Sequence, residues 1–178
     1  MSREIMKSLL AACSAVQSEV DAAGLGALAE ESEPIALYDR IVTNARIRRA
    51  TRGLFHDGYY ALAVEECFKS VNDTVKELSQ VRDDGASLMR RVLSVKTPTL
   101  ALNNLQTESD ESEQNGYMDI FAGCMTGIRN PRAHKAEYLD APDRALEMIA
   151  WGQHLMQKLD RARLVSKRSN VTGSDPSP

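Results

Sequence analysis

The sequence has few of the residues that would cross-link the chain or hold it in a membrane. Its three cysteines, Cys13, Cys67 and Cys124, lie far apart and show no C-x-x-C spacing. An odd number of scattered cysteines indicates reduced thiols rather than a disulfide framework or a structural zinc site. No run of residues approaches the roughly 18 apolar residues of a membrane span. We therefore expect a cytoplasmic protein that uses no metal or other cofactor and has no membrane partner.

Aromatic residues are also scarce. They make up 5% of the chain and include one tryptophan, Trp151, so the core must consist mainly of aliphatic side chains and methionine. That composition suits helices better than a β-sandwich. A content of 43% hydrophobic and 26% charged residues excludes a wholly disordered chain. The net charge of −3 argues against a protein that coats long duplex DNA through charge alone.

Apolar residues recur at three- and four-residue spacing along most of the chain, which predicts an all-α fold. The pattern is clearest after Gly58, where one apolar stripe extends from Val64 to Leu78. We predict a bundle of four to five helices with short accessory helices. We divide the chain into an N-terminal helix and linker over 1–34, a helical domain over 35–165 and a disordered tail over 166–178.

Local signals predict several boundaries. The small and acidic stretch 24–34 is typical of a linker, and the acidic stretch 107–115 is typical of an exposed loop that leads into a helix. Pro131 disfavours helical geometry in the residue before it, so the helix preceding it should end near Arg129. The last helix should open at Asp140, which acts as its cap.

Gly123 and Gly127 would leave one side of their helix bare, so that another backbone could approach closely. That backbone could belong to a second copy of the chain around a two-fold axis, or to another helix of the same subunit. The sequence leaves both arrangements open.

One short segment stands out chemically, because most catalytic motifs are absent. Residues 129–134 are Arg-Asn-Pro-Arg-Ala-His. Arginine offers forked donors to a phosphate, and histidine moves protons near neutral pH. An Arg and a His can therefore cleave RNA without a metal, if the His takes the proton of a ribose 2′-hydroxyl. The spacing alone favours a structural interpretation, with the Arg at a helix C-terminus and the His in a loop hydrogen bond.

The surroundings of this segment resemble the signature of HEPN-superfamily proteins, and more narrowly the prophage-associated Ymh family. The stretch that begins at Gly116 is Gly-Tyr-Met-Asp-Ile-Phe-Ala-Gly-Cys-Met-Thr-Gly-Ile-Arg-Asn-Pro-Arg-Ala-His. The stretch that begins at Leu54, Leu-Phe-His-Asp-Gly-Tyr-Tyr-Ala-Leu-Ala, fits as well, and so does the Asp-Gly pair at Asp84. The resemblance extends over roughly residues 35–163.

The resemblance implies an all-α homodimer, or a higher homo-oligomer, that acts as a metal-independent endoribonuclease in phage defence or as a toxin. Its products would carry 2′,3′-cyclic phosphates. The implied catalytic residues are Arg129, Asn130 and His134, which would form one composite site with those of a second subunit. The implied partners are RNA and an antitoxin or defence-system protein.

Five more residues are candidates for substrate binding. Arg132 and Lys135 flank the motif and would hold RNA phosphates. Lys69 and Glu66 lie on the polar side of the strong helix, and His56 lies near its start. For each of the five, an ordinary structural or surface role remains open.

The rival hypothesis is a non-catalytic, dimeric helical module that binds RNA or a partner protein. In the enzyme, Arg129 and His134 should be accessible in a groove between two subunits. In the rival, both should be buried and paired within one chain.

Overall fold

The computed structural model describes the backbone of residues 3–23, 25–134 and 138–165, and the side chains of residues 11–16, 18–23, 33–134 and 138–165. Its helices are α1 (Arg3–Ala22), α2 (Leu25–Ile41), α3 (Ala45–His56), α4 (Tyr60–Ser79), α5 (Gly85–Val92), α6 (Glu108–Cys124), α7 (Asn130–His134) and α8 (Pro142–Leu159). A π-helical turn, Met125–Arg129, joins α6 to α7. Two short antiparallel strands, β1 (Leu100–Ala101) and β2 (Arg163–Leu164), are the only ones in this part of the chain. The predicted all-α bundle is confirmed.

Helix α4 lies at the centre of the bundle. It packs against α3 and α8 over much of its length, and against α5, α7 and the π-helical turn. Its apolar stripe faces the core, as the periodicity of the sequence predicts: Val64, Phe68, Val71 and Val75 are fully buried, and Leu78 is partly buried. No helix of the described ranges is both long enough and apolar enough to cross a bilayer.

Helices α4 and α8 approach each other most closely where Gly152 faces Cys67. A Cβ atom placed on Gly152 would overlap the Sγ atom of Cys67, and it would also contact the ring of Phe68. The Cys67 thiol lies 3.8 Å from the carbonyl oxygen of Ile149, one turn earlier in α8. The absence of a side chain at Gly152 therefore allows α4 and α8 to pack at this short distance.

Two buried glutamines satisfy backbone groups where helices are interrupted. Gln153 on α8 accepts hydrogen bonds from the backbone N–H groups of Thr43 and Asn44 and donates one to the carbonyl of Ile41. It thereby ties the junction of α2 and α3 to α8. Gln114 on α6 accepts from the N–H of Leu102 and donates to the carbonyls of Leu93 and Leu100. Each side-chain amide thus provides hydrogen bonds to buried backbone N–H and C=O groups that would otherwise have no partner.

The predicted linker over 24–34 is wrong for the residues described there. The predicted N-terminal helix is present as α1, but residues 25–34 already belong to α2, which continues through Pro34. Leu, Ala and Glu dominate this stretch, and all three are strong helix formers. Gly24 and the predicted disordered tail, 166–178, lie outside the described residues, and the division into domains stays a prediction.

The predicted loop over 107–115 is also helical. Thr107 caps α6, since its side chain accepts from the N–H of Asp110 while the Asp110 carboxylate accepts from the N–H of Thr107. This reciprocal arrangement is a capping box. The acidic residues that follow occupy the first turn of α6, where the helix dipole favours negative charge.

The two helix boundaries predicted near residues 129–134 also differ from those in the structure. The helix does not end at Arg129, because the π-helical turn carries it into α7. Asp140 does not cap α8, whose N-cap position is Ala141 and has no side-chain cap, because Arg132 binds the Asp140 carboxylate. Pro142 does lie in the first turn of α8, as predicted.

We predict that Gly152→Ala lowers the free energy of unfolding by about 1–3 kcal/mol, because the new methyl group has no room beside Cys67. Urea unfolding followed by circular dichroism measures the change. Gly53→Ala is the matched control, since nothing lies within 4 Å of a Cβ at that helical position. A Cys67→Ala/Gly152→Ala double variant should recover part of the loss; equal effects of Gly152→Ala and Gly53→Ala would contradict the close approach.

Candidate functional site

The 129–134 segment spans the end of the π-helical turn and the whole of α7. The N–H of Asn130 donates to the carbonyl of Met125, five residues earlier, and Pro131 follows with no N–H to donate. The wider turn accommodates the proline without ending the helical path. Single π-helical turns within α-helices often occur at functional sites, because they change the direction in which the following side chains point.

Arg129 is held against the protein by an ion pair. Its Nη1 atom lies 3.1 Å from Oδ2 of Asp84, and only 18% of its side chain is exposed. The Nε atom is buried and has no hydrogen-bond partner among the described residues. The guanidinium is therefore oriented by one carboxylate, while part of its hydrogen-bonding capacity is unused.

Asp84 is the centre of a network that joins α4, α5 and the π-helical turn. Its carboxylate lies 2.6 Å from Nζ of Lys76 and accepts a 2.9 Å hydrogen bond from the buried amide of Asn72. The other end of the Asn72 amide accepts from the N–H of Gly85, at a φ of 58° that favours glycine. The bonds from Lys76, and then those from Arg129 and Asn72, lower the pKa of Asp84 to about 2.

His134 and Asn130 face outward. His134 is exposed, Asn130 is half-buried, and neither side chain makes a hydrogen bond or ion pair with the described residues. Residues five positions apart in an α-helix are separated by roughly 140° around the helix axis. Within one chain, Arg129 therefore turns towards α5 while His134 turns to solvent. Arg129 is paired as the rival hypothesis expects, whereas His134 is accessible as the enzyme requires.

Arg132 is buried and paired within the chain, and its predicted role in holding an RNA phosphate stays a prediction. Its guanidinium forms a two-pronged ion pair with Asp140, at 2.6 and 2.8 Å, and 3% of each side chain is exposed. It also donates to the carbonyl of Ile128 and lies 4.7 Å from the ring centre of Tyr138. These contacts use its donors to attach α7 to the segment that precedes α8.

The remaining candidates lie elsewhere on the surface. Lys69 pairs with both Glu66 and Glu65 on α4, at 2.7 and 2.8 Å. His56 ends α3 rather than starting α4, and its Nε2 lies 3.4 Å from the carboxylate of Asp39. Lys135 lies outside the described residues. A role of any of them in RNA binding stays a prediction.

The glycine side of α6 and of the π-helical turn that follows it is open. Nothing lies within 4 Å of a Cβ built on Gly123 or Gly127, so no helix of the described chain packs there. Of the two arrangements that the sequence left open, close packing within the subunit is wrong for the described residues. Ile120, on the same side and one turn before Gly123, is an exposed large apolar residue.

Other chemistry finds little support in the described residues. They contain no group of three or more His, Cys, Asp or Glu side chains that could hold a metal ion. Burial raises the pKa of the Cys124 thiol to about 11 and raises that of Cys67 further. Both thiols are thus protonated at neutral pH and are poor nucleophiles.

The sequence does not identify Lys76 as a residue of this site, and it identifies Asp84 only as part of the family resemblance. Lys76 lies at the spacing expected for the solvent-facing side of its helix. The sequence therefore does not indicate that it belongs to the site. Asp84 does carry a signal, because an Asp-Gly pair directly before a short helix indicates a constrained turn. Its contact with Arg129, 45 residues away, follows only from the fold.

We predict that the stability difference between wild type and Asp84→Asn depends on pH. The folded-state pKa of Asp84 lies below the ordinary 3.8, so its ion pairs stabilise the fold above about pH 4 and lose that effect as the pH falls towards 2. Urea unfolding at pH 6, 4, 3 and 2 should show a difference that shrinks over this range. Asp83→Asn, which removes a carboxylate paired with Arg91, is the control. A difference that is the same at every pH would refute the assignment.

Comparison with known proteins gives one match. A family model described as "Protein of unknown function (Hypoth_ymh)" matches residues 42–159, which is more than half of the chain and includes α3 to α8. No curated protein and no solved structure matches.

Proposed function

The chain belongs to the Hypoth_ymh family, whose function is unknown, and we propose that it is a homodimeric, metal-independent endoribonuclease. One observation carries the proposal. An accessible histidine, His134, follows a carboxylate-anchored arginine, Arg129, at the end of a helix whose glycine face is uncovered. The proposed setting, cytoplasmic action in phage defence or as a toxin with an antitoxin partner, rests on the resemblance to HEPN proteins.

The proposed reaction needs no group beyond these side chains and the RNA. His134 accepts the proton of a ribose 2′-hydroxyl, and the 2′-oxygen attacks the adjacent phosphorus. The bond from phosphorus to the 5′-oxygen breaks, and the imidazolium of the same His134 donates its proton to this oxygen. The products are a 2′,3′-cyclic phosphate and a 5′-hydroxyl end.

Arg129 would stabilise the charge that develops on the phosphate. Its Nη1 is bound to Asp84, but its Nη2 makes no hydrogen bond with the described residues and can bind a phosphate oxygen. Asp84 thus acts as a positioning residue, because it restricts the guanidinium to one orientation before RNA binds. Asn130, next to Arg129 and half-buried, would donate to the same phosphate or orient the histidine.

The directions of these side chains support the proposed dimer. Since Arg129 and His134 diverge within one chain, a site that uses both at one phosphate takes them from two copies. The open glycine face at Gly123 and Gly127 offers a surface on which two α6 helices can pack closely.

We predict that wild-type protein cleaves RNA in EDTA and that His134→Ala lowers the cleavage rate by at least about 100-fold, because the proton transfer is lost. Total tRNA and mRNA on denaturing gels, with chemical mapping of cyclic-phosphate ends, provide the measurement. His154→Ala is the matched control, since His154 is an exposed histidine that is hydrogen-bonded to Tyr117 at 2.8 Å. Full activity of His134→Ala would disprove the mechanism.

A non-catalytic module that binds RNA or a partner protein is the second candidate. The ion pair of Arg129 with Asp84 inside one chain favours it, because that contact needs no substrate. In the same assay this candidate predicts salt-sensitive RNA binding with no cleavage by either the wild type or the variants.

We also predict that Gly123→Arg weakens the dimer while the monomer stays folded. The position is open in one chain, so an arginine there costs no packing and improves helix propensity by up to about 1 kcal/mol. Sedimentation velocity over a concentration series should show a dissociation constant raised at least about tenfold. Gly53→Arg, at another open helical glycine, should leave the dimer intact. If both variants dimerise like the wild type, the glycine face is not the interface.

A further inference from the structure

A cavity of about 400 Å³ lies beside α7, between the N-terminal end of α4 and the segment that precedes α8. Its volume lies within the range of small-molecule sites. It is lined by side chains of Tyr59, Leu62 and Glu65 on one side, and of Arg132, Tyr138 and Leu139 on the other. Arg132 precedes His134 by two residues, so the cavity adjoins the proposed catalytic segment.

The rim of this cavity consists of large apolar side chains in contact with solvent. Tyr59 is 62% exposed, Leu139 is 91% exposed, and Leu62 is exposed as well. The apolar area of these side chains is removed from water only when a ligand with a flat or apolar surface lies against them. An aromatic ring and two leucines around one opening provide faces for a planar ring.

The one arginine among the described lining residues, Arg132, offers the cavity no free positive charge. The guanidinium of Arg132 is neutralised by Asp140, and both side chains are almost completely buried. Lys69 does not line the cavity, and its charge is neutralised by ion pairs with Glu65 and Glu66. Among the described residues that line the cavity, a phosphate group therefore meets no unpaired cation, whereas a neutral ring meets no electrostatic cost.

Glu65 provides the polar recognition that a planar ring would need. Its side chain is 12% exposed, and Oε1 lies 2.8 Å from Nζ of Lys69. Its second oxygen, Oε2, makes no hydrogen bond with the described residues, so it can accept from an exocyclic amino group or ring N–H. A carboxylate that accepts from the edge of a base is an established mode of readout.

We propose that this cavity binds one unpaired nucleobase of the RNA, with the ring against Tyr59 and Leu139 and its N–H edge on Glu65. The proposal rests on the proposed function only in taking RNA as the ligand. Binding of a splayed base on an aromatic side chain is the usual way in which single-stranded RNA is held. It would place the neighbouring phosphate towards α7, on which His134 lies.

The test separates the base from the backbone and binding from cleavage. The full chain is titrated, by fluorescence anisotropy at one fixed salt concentration, with a 2′-O-methyl oligonucleotide that cannot be cleaved by 2′-hydroxyl attack. The second probe is the same backbone without bases. We expect the base-containing probe to bind at least about tenfold tighter. Tyr59→Ala and Leu139→Ala should each remove most of this preference, while Tyr59→Phe keeps it.

The controls make each outcome decisive. Leu164→Ala, at an exposed apolar residue on β2, should leave the preference unchanged. Glu65→Gln should change the order of preference among adenine-, guanine-, cytosine- and uracil-only probes. Equal affinity for the two backbones, or a preference that survives Tyr59→Ala, would overturn the proposed subsite. Base-dependent binding without cleavage would overturn the nuclease but keep the subsite, and cleavage without base preference would do the reverse.

Discussion

The burial of α4 on several sides is the constraint on which the rest of the structure depends. A helix surrounded by α3, α5, α7 and α8 has little access to water, so each polar group that it carries inward needs a partner. Asn72 is the clearest case, because its side chain is buried and its amide binds both Asp84 and the N–H of Gly85. Through Asp84, this requirement of the core determines the orientation of Arg129.

The orientation of the charged groups in the candidate site therefore depends on how the core packs. The carboxylate of Asp84 is oriented by Asn72, and Lys76 and Arg129 stabilise its anionic form, which lowers its pKa. A guanidinium oriented in this way loses less conformational entropy when it binds a phosphate than a free surface arginine does. The exposed His134, one turn further along, has no such anchor and is free to meet a second subunit or a substrate.

Arg129 and Arg132 show how the fold distinguishes two residues of the same type in one motif. Both belong to the same short helical path, and the sequence offers both as contacts to an RNA phosphate, Arg129 as a catalytic residue and Arg132 as a flanking one. Asp140, in the segment that precedes α8, binds Arg132, and this buried ion pair is costly to break. Arg129 meets a carboxylate that two other groups already share, so part of its hydrogen-bonding capacity remains available.

The sequence alone predicts the all-α class, the central amphipathic helix and the segment 129–134, because periodicity and local motifs are short-range properties. It misplaces the boundaries at 25–34, 108–115 and 130–134, where capping, composition and a π-helical turn outweigh the signals of single residues. It also cannot find the contacts of Asp84 with Arg129 or of Arg132 with Asp140, nor the clearance that Gly152 leaves for Cys67. Only the tertiary structure determines these contacts, because each depends on how far apart two elements lie in space. Local spacing along the chain does not specify that distance.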